Sequence, residues 1–260
     1  MSHFCLAVDY GIFLSKSGYS YGSRVFLHRQ NGFFFPDGLL IEFQNVDVNE
    51  PGPEGWDPRN VVRFGLDGRK LWEIQPEKGG EGYREVRVCA GGYLEALSRD
   101  GLRRYWLSGS NGQVFSQSEF PDFRQVLTEA DRCTWSISGR VVSYQGVAVF
   151  EHPKRSIWFG LPCENDLIVL WDPRGLKEEG TLDPDALRNM IRLKPDGSIV
   201  WRVGEEPIQP YLKKRIDSGL GSVCPGLAGG IEVQSANMFE VYALDPENGD
   251  LTYLRASEGK

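Results

Sequence analysis

The chain has 260 residues and a formal net charge of −7, with 40% hydrophobic and 25% charged residues, the composition of an ordinary globular protein. No stretch approaches the ~18 uninterrupted apolar residues of a membrane helix, and the N-terminal segment lacks the basic and apolar regions of a secretory signal. A nucleic-acid partner is disfavoured because phosphate binding needs a basic surface. The five scattered cysteines contain no C-x-x-C pair and are expected to be buried, reduced thiols. We therefore expect a cytoplasmic protein that binds neither membranes nor nucleic acid.

Short apolar runs separated by Gly, Pro, Asn and Asp turn signals predict an all-β fold. In the first half the predicted strands are 3–9, 11–16, 23–29, 39–43, 60–66, 70–75, 92–98, 103–108 and 113–119. In the second half they are 133–138, 140–150, 156–160, 166–171, 189–194, 199–203, 230–235, 239–245 and 250–255. Helix is predicted only at 123–132 and 211–216.

The chain contains an internal repeat. Residues 59–74 align without a gap on residues 188–203, at an offset of 129. Six of the sixteen pairs are identical: Arg59/Arg188, Asn60/Asn189, Arg63/Arg192, Asp67/Asp196, Gly68/Gly197 and Trp72/Trp201. Weaker matches upstream and downstream fall in the same order, among them Asn111-Gly112 with Asn248-Gly249 at an offset of 137. This order predicts a tandem duplication, 1–128 and 129–260, within a single domain 1–260.

Each copy of the repeat is predicted to be a β-hairpin. Asp67-Gly68 and Asp196-Gly197 supply the turns, because glycine tolerates positive φ. Leu71 and Trp72 are adjacent, so strict alternation would place them on opposite faces, both at least partly covered. The two Asp-Gly pairs and the tryptophans Trp72 and Trp201 are thus predicted to have structural roles.

The D-G-x-x-[LV]-W hairpins resemble those of quinoprotein-like and WD-repeat β-propellers, in which a tryptophan late in a strand packs between neighbouring sheets. The resemblance implies a β-propeller-like domain of four to six short blades built from two tandem-duplicated halves. The period of about 130 residues departs from the ~40–45 of a single blade, and two packed β-sandwich lobes are the alternative. No residues match the calcium and quinone ligands of quinoproteins, so no cofactor is expected.

No catalytic signature is present. The chain has no G-x-S-x-G elbow, Walker loop or H-E-x-x-H motif. His28 and His152 occupy matching places in the two halves, but no Asp or Cys lies at ligand spacing beside both, so local hydrogen bonds are expected and no metal site. We predict a protein that is not an enzyme. The alternative is a carbohydrate-active or other small-molecule-binding propeller enzyme, since paired carboxylates are recognisable only in space.

Negative charge is concentrated in two loops that precede the repeated hairpins. Residues 44–58 carry four acids and no base, and residues 172–187 carry five acids and two bases. Paired acidic loops would attract a basic protein partner and speed its capture, and Trp56 could anchor the contact. The predicted partner-binding residues are Asp47, Glu50, Glu54, Trp56, Asp57, Glu178, Glu179, Asp183 and Asp185.

These features suggest a non-enzymatic binding module. A small acidic all-β chain of this kind resembles some bacterial immunity proteins, which block the active site of a cognate toxin. Because many such toxins are basic nucleases, the resemblance implies a basic toxin domain as the partner.

Overall fold

The structure is a computed structural model that describes residues 5–7, 13–14, 30–43, 61–65, 69–74, 82–116, 126–173, 177–178, 181–182, 188–203, 219–225, 230–236 and 240–256. The elements bounded within these ranges are β-strands, apart from one 3₁₀ turn at Glu129–Asp131 inside the predicted helix 123–132. The predicted helix 211–216 lies outside them. The all-β prediction is therefore confirmed.

The strands are numbered in chain order. The first thirteen are β1 (Cys5–Ala7), β2 (Phe13–Leu14), β3 (Gln30–Phe35), β4 (Gly38–Phe43), β5 (Val61–Gly65), β6 (Lys70–Glu73), β7 (Tyr83–Val88), β8 (Leu94–Ser98), β9 (Arg104–Leu107), β10 (Val114–Ser116), β11 (Trp135–Ser138), β12 (Val141–Tyr144) and β13 (Val147–Glu151). The others are β14 (Ile157–Cys163), β15 (Asp166–Trp171), β16 (Lys177–Glu178), β17 (Thr181–Leu182), β18 (Met190–Leu193), β19 (Ile199–Arg202), β20 (Leu220–Pro225), β21 (Ile231–Ser235), β22 (Glu240–Leu244) and β23 (Leu251–Ala256).

The chain divides into two compact units. The N-terminal unit comprises Val8–Ile12 and Ser20–Glu151, and the C-terminal unit comprises Met1–Ala7, Phe13–Tyr19 and His152–Lys260. The N-terminal unit contains a seven-stranded sheet, β13-β12-β11-β3-β4-β5-β6, and a four-stranded sheet, β10-β9-β8-β7. The C-terminal unit contains a six-stranded sheet, β19-β18-β15-β14-β1-β2, a four-stranded sheet, β20-β21-β22-β23, and the small hairpin β16-β17. All described pairings are antiparallel, and none of these sheets closes on itself.

In each unit the two large sheets share one hydrophobic core. In the N-terminal unit Leu40 of β4 joins Val86 of β7 and Leu107 of β9 in one buried cluster. In the C-terminal unit Ile168 of β15 and Tyr242 of β22 do the same. Burial of apolar side chains between the sheets is the main force that holds each pair of sheets together.

The first hairpin of each predicted repeat pairs with a strand of the other repeat. The hairpin β1-β2 pairs with β14 through Leu6 opposite Gly160, and the hairpin β11-β12 pairs with β3 through Ile137 opposite Gly32. This reciprocal exchange explains why the compact units do not coincide with the predicted repeats 1–128 and 129–260.

Edge strands of the described sheets carry β-bulges. The register of β5 and β6 shifts between Arg63 and Phe64, so Leu71 has no residue opposite it. The equivalent residue of β19, Val200, is bulged in the same way. Four more edge strands, β7, β13, β20 and β23, have extra residues at Arg84, Val149, Gly221 and Leu254. Bulges twist an edge away from further pairing. A bulge also interrupts the alternation of side chains between the two faces of a strand. Leu71 is exposed for this reason, and the expectation that it is covered was wrong.

Five of the described strands were not predicted: β3, β7, β16, β17 and β20. Asn31-Gly32 in β3 has the composition of a turn, β7 contains three charged residues, and β20 contains glycine, serine and proline. The predicted strand 140–150 is instead the hairpin β12-β13, which reverses at Gln145 and Gly146 with φ of 48° and 82°. Positive φ at both turn residues is the geometry that two-residue hairpins require.

Candidate functional site

The two repeated hairpins form as predicted, with the same register. Arg63 of β5 lies opposite Trp72 of β6, and Arg192 of β18 lies opposite Trp201 of β19. Each hairpin therefore presents an arginine and a tryptophan side by side.

Trp72 joins the two sheets of the N-terminal unit. Its indole N–H donates to the backbone carbonyl of Ser110, in the turn between β9 and β10, at 3.1 Å. Its ring covers Gly112, where a Cβ atom would lie 2.7 Å from the ring and where φ is +73°. Both the close approach and the left-handed backbone require glycine there.

Trp201 makes the equivalent contacts in the C-terminal unit. Its indole N–H donates to the carbonyl of Pro246, between β22 and β23, at 2.7 Å. Gly249 has φ +80°, and a Cβ atom there would lie 2.8 Å from the ring of Trp201. We call each arrangement, Trp72 with Gly112 and Trp201 with Gly249, a tryptophan clasp. The repeated pairs Asn111-Gly112 and Asn248-Gly249 thus supply the glycines of two matching clasps.

The arginines opposite these tryptophans are buried in different settings. The guanidinium of Arg63 donates to Asp37 and lies 4.2 Å from the centre of the Phe35 ring. Burial lowers its pKa to about 10, against the opposing effect of Asp37. Arg192 donates to Asp166 at 2.7 Å and to the carbonyl of Pro246 at 2.9 Å. Burial disfavours its charge, but the hydrogen bond to Asp166 and the nearby negative charges outweigh burial and raise the pKa of Arg192 above the ordinary value.

The turn of the second hairpin has the predicted chemistry. Asp196 accepts hydrogen bonds from the backbone N–H of Ser198 (2.9 Å) and from its hydroxyl (2.6 Å), which lower the pKa of Asp196. Gly197 has φ +85°, the left-handed conformation that glycine favours. The corresponding residues of the first hairpin, Asp67 and Gly68, lie outside the described residues.

Asn189 is a second link between sheets in the C-terminal unit. Its amide nitrogen donates to the carbonyls of Trp171 and Leu220, both at 2.8 Å, and its side-chain oxygen accepts from the N–H of Leu220 at 3.0 Å. This fully buried side chain satisfies backbone groups at the ends of β15 and β20. The asparagine of the repeat is therefore structural in this copy.

Most of the predicted partner-binding residues lie outside the described part of the chain. They are Asp47, Glu50, Glu54, Trp56, Asp57, Glu179, Asp183 and Asp185. Glu178 lies in β16, where it is opposite Thr181, while Lys177 is opposite Leu182. The second acidic loop therefore contains a hairpin, β16-β17, inserted between β15 and β18. The first loop likewise connects two paired strands, β4 and β5.

Sequence reasoning missed a buried acid, Glu42. One carboxylate oxygen accepts from the side chain of Asn31 at 2.6 Å, and the other accepts from the backbone N–H of Val86 at 2.9 Å. Burial raises the pKa of Glu42 to about 8, and neighbouring Glu85 adds to the rise, so the group is mainly protonated at neutral pH. Its only sequence signal is a single acid at the end of an apolar strand.

Asp131 is a second acid that the sequence did not reveal. It accepts from the hydroxyls of Ser108 and Ser110 and from the N–H (2.6 Å) and hydroxyl (2.8 Å) of Thr128. Burial alone would raise its pKa, but these hydrogen bonds outweigh burial and lower the pKa to about 2. The network fastens the 3₁₀ turn to the turn that contains the first clasp.

One histidine and three cysteines have side chains that the structure describes. His152 follows β13 and accepts through Nδ1 from the N–H groups of Lys154 (3.2 Å) and Arg155 (2.9 Å), the local bonding that was predicted. His28 lies outside the described residues. Cys133 and Cys163 are buried free thiols, and burial raises the pKa of both. The expectation of burial was wrong for Cys89, which is half-buried. No group of three or more His, Cys, Asp or Glu residues is placed to hold a metal among the residues that the structure describes.

Within the same residues, no helix has the length and apolar character to cross a membrane.

Comparison with known proteins does not assign the chain to a family. No protein-family model and no curated protein matches the chain. One matching crystal structure is of a protein from Bacteroides fragilis NCTC 9343, provisionally named as exported, with 10% identity, a TM-score of 0.30 and coverage of 86% of this chain and 49% of that one. The chain thus spans about half of that protein's length. Another is of a Bacteroides caccae protein of unknown function, with 11% identity, a TM-score of 0.26 and coverage of 77% and 93%. Similarity at this level carries no argument about fold or function.

Proposed function

We propose that the chain is a protein-binding module whose two long acidic connections receive a basic partner. The observation that best supports this proposal is that the two connections join equivalent pairs of antiparallel strands, one in each unit. Leu40 lies opposite Arg63 and Ile168 lies opposite Arg192 in the strand pairs that the connections join. Binding residues lie disproportionately on loops that a rigid scaffold positions.

The charge of these connections defines the partner's chemistry. Together they hold nine acids and two bases, while the remainder of the chain holds equal numbers of acids and bases. A basic surface would therefore meet complementary charge at the connections, which accelerates association.

We infer that the frame is a pair of two-sheet units related to the sandwich alternative, rather than a closed ring of blades. The open sheets and the core shared by each pair of sheets support this architecture. Descent of the two halves from one duplicated unit is supported by the matching registers and by the two tryptophan clasps.

The more specific hypothesis is an immunity protein that blocks a basic toxin in the cytoplasm. Affinity capture from a native lysate should recover one small basic protein in stoichiometric amount. The variant with Asp47, Glu50, Glu178 and Glu179 all changed to Lys should then bind that protein more slowly, with the difference shrinking as salt rises. Stopped-flow or surface plasmon resonance kinetics measure both effects.

A control variant carries the same change in net charge at exposed acids elsewhere: Glu129, Glu151, Glu247 and Asp250. It should associate at close to the wild-type rate. If association slows equally in both variants, or in neither, the acidic connections do not form the binding site. The carbohydrate-active alternative stays a prediction of the sequence.

A further inference from the structure

The hairpin β8-β9 presents an exposed leucine on a rigid turn. Leu102 is 82% exposed. Its N–H donates to the carboxylate of Asp100 at 2.9 Å, and the N–H of Arg103 donates to the hydroxyl of Ser98 at 2.9 Å. The N–H of Gly101 closes the turn onto the carbonyl of Ser98 at 2.8 Å. A turn held by its own side chains loses little conformational freedom on binding.

Two exposed arginines follow this leucine in the chain, and a third lies beside the turn. The side chains of Arg103 and Arg104 are 65% and 57% exposed. The carboxylate of Glu95, which is buried, pairs with Arg104 at 3.4 Å and also with Arg87, so it holds both cations on this face of the sheet. Arg84, the bulge residue of β7, lies beside the turn, with Nη1 3.5 Å from where a Cβ atom on Gly101 would be. We call Arg84, Leu102, Arg103 and Arg104 the arginine tip.

The arginine tip has the opposite charge to the chain as a whole. Residues 83–104 contain five arginines and three acids, in a protein of net charge −7. Arginine is enriched among the residues that dominate binding energy at protein interfaces. Because guanidinium groups pair with carboxylates in a bidentate manner, the tip is complementary to an acidic surface.

We propose that the arginine tip binds a carboxylate-rich segment of a partner protein, with Leu102 inserted among that segment's apolar side chains. A protein segment fits better than nucleic acid, because Glu85 and Asp100 interrupt the cations along the tip and a phosphate backbone presents continuous negative charge. It also fits better than a membrane, because one leucine offers little apolar area for insertion. The arginine tip shares no residue with the acidic connections, so either proposal can fail without the other.

The test uses a fluorescein-labelled peptide with four glutamates around two leucines, titrated with the full chain at low salt and followed by fluorescence anisotropy. Arg103→Glu should weaken binding about tenfold and Leu102→Ser about three- to tenfold, in the range of interface contacts. Matched controls in the same unit are Arg140→Glu, at another exposed arginine, and Val126→Ser, at an apolar residue 61% exposed. Both controls should bind like wild type.

Several results would overturn the proposal. The proposal fails if the peptide does not bind or if Leu102→Ser binds it as tightly as wild type. It also fails if Arg140→Glu and Arg103→Glu weaken binding equally, because that would indicate unspecific charge attraction. Tighter binding of a DNA duplex, or of phosphatidylcholine vesicles with 30% phosphatidylserine, would assign the tip to a different class of partner. Thermal melting of each variant, expected to match wild type, separates lost binding from lost folding.

Discussion

Replacing the glycine of a tryptophan clasp by alanine should destabilise the protein through two separable effects. At Gly112, a Cβ atom would lie 2.7 Å from the ring of Trp72 in a backbone with φ +73°. The left-handed conformation costs alanine about 1–2 kcal/mol, and overpacking against the ring adds about 1–3 kcal/mol. We therefore expect Gly112→Ala to lower the free energy of unfolding by about 2–5 kcal/mol, measured by urea denaturation.

Gly139 is the matched control in the same unit. It has φ +58° and nothing within 4 Å of its would-be Cβ atom, so Gly139→Ala should show only the conformational cost. The difference between the two variants measures the clash with the indole. The additional change Trp72→Leu should remove most of that difference, giving a coupling energy in a double-mutant cycle. If Gly112→Ala costs no more than Gly139→Ala, the ring does not pack on the glycine as described.

Three further predictions concern buried polar groups. Burial raises the pKa of Glu42 from 4.5 to about 8. The protonated side chain therefore contributes fully to the free energy of unfolding below pH 4.5. This contribution is lost, by up to about 1.4 kcal/mol per pH unit, as the pH rises through 8. Urea titrations from pH 5 to 8 should show this decline in wild type and in the exposed control Glu151→Gln but not in Glu42→Gln. A decline that persists in Glu42→Gln would assign it to another group. The pKa of Asp131 is lowered from 3.8 to about 2, so its stabilisation is present above pH 3.8 and lost as pH falls through 2. Asp131→Asn should cost about 1–3 kcal/mol at pH 7 and reduce the loss of stability in acid, and equal acid sensitivity in both proteins would contradict this. Asn189→Ala should cost about 1–3 kcal/mol and accelerate hydrogen exchange at the Leu220 amide, whose unchanged protection would count against the link.

Local features of the fold could be predicted from the sequence because a few adjacent residues encode them. The turn at Asp196-Gly197 depends only on local residues, since Asp196 accepts a hydrogen bond from Ser198 and glycine tolerates positive φ. The repeated pattern likewise indicated equivalent hairpins, and Arg63 and Arg192 do lie opposite equivalent tryptophans. Edge bulges were not predictable, because the extra residue Leu71 looks like any strand residue in the sequence.

The acids illustrate why candidate sites are harder to predict than hairpins. Glu42 is a single charge in the sequence, and its raised pKa depends on being enclosed beside Val86, a residue 44 positions away. The arginine tip depends in the same way on a bulge in β7 that brings Arg84 beside Gly101.

By itself, the sequence determined the strand-rich composition, the turn chemistry and the likeness of the two halves, since these depend on neighbouring residues and on internal comparison. Only the tertiary structure decided that β1-β2 pairs with β14 and β11-β12 with β3. An edge strand offers the same backbone hydrogen bonds to any suitable partner. The partner is therefore selected by which side chains the whole chain can bury together, and no local pattern records that choice.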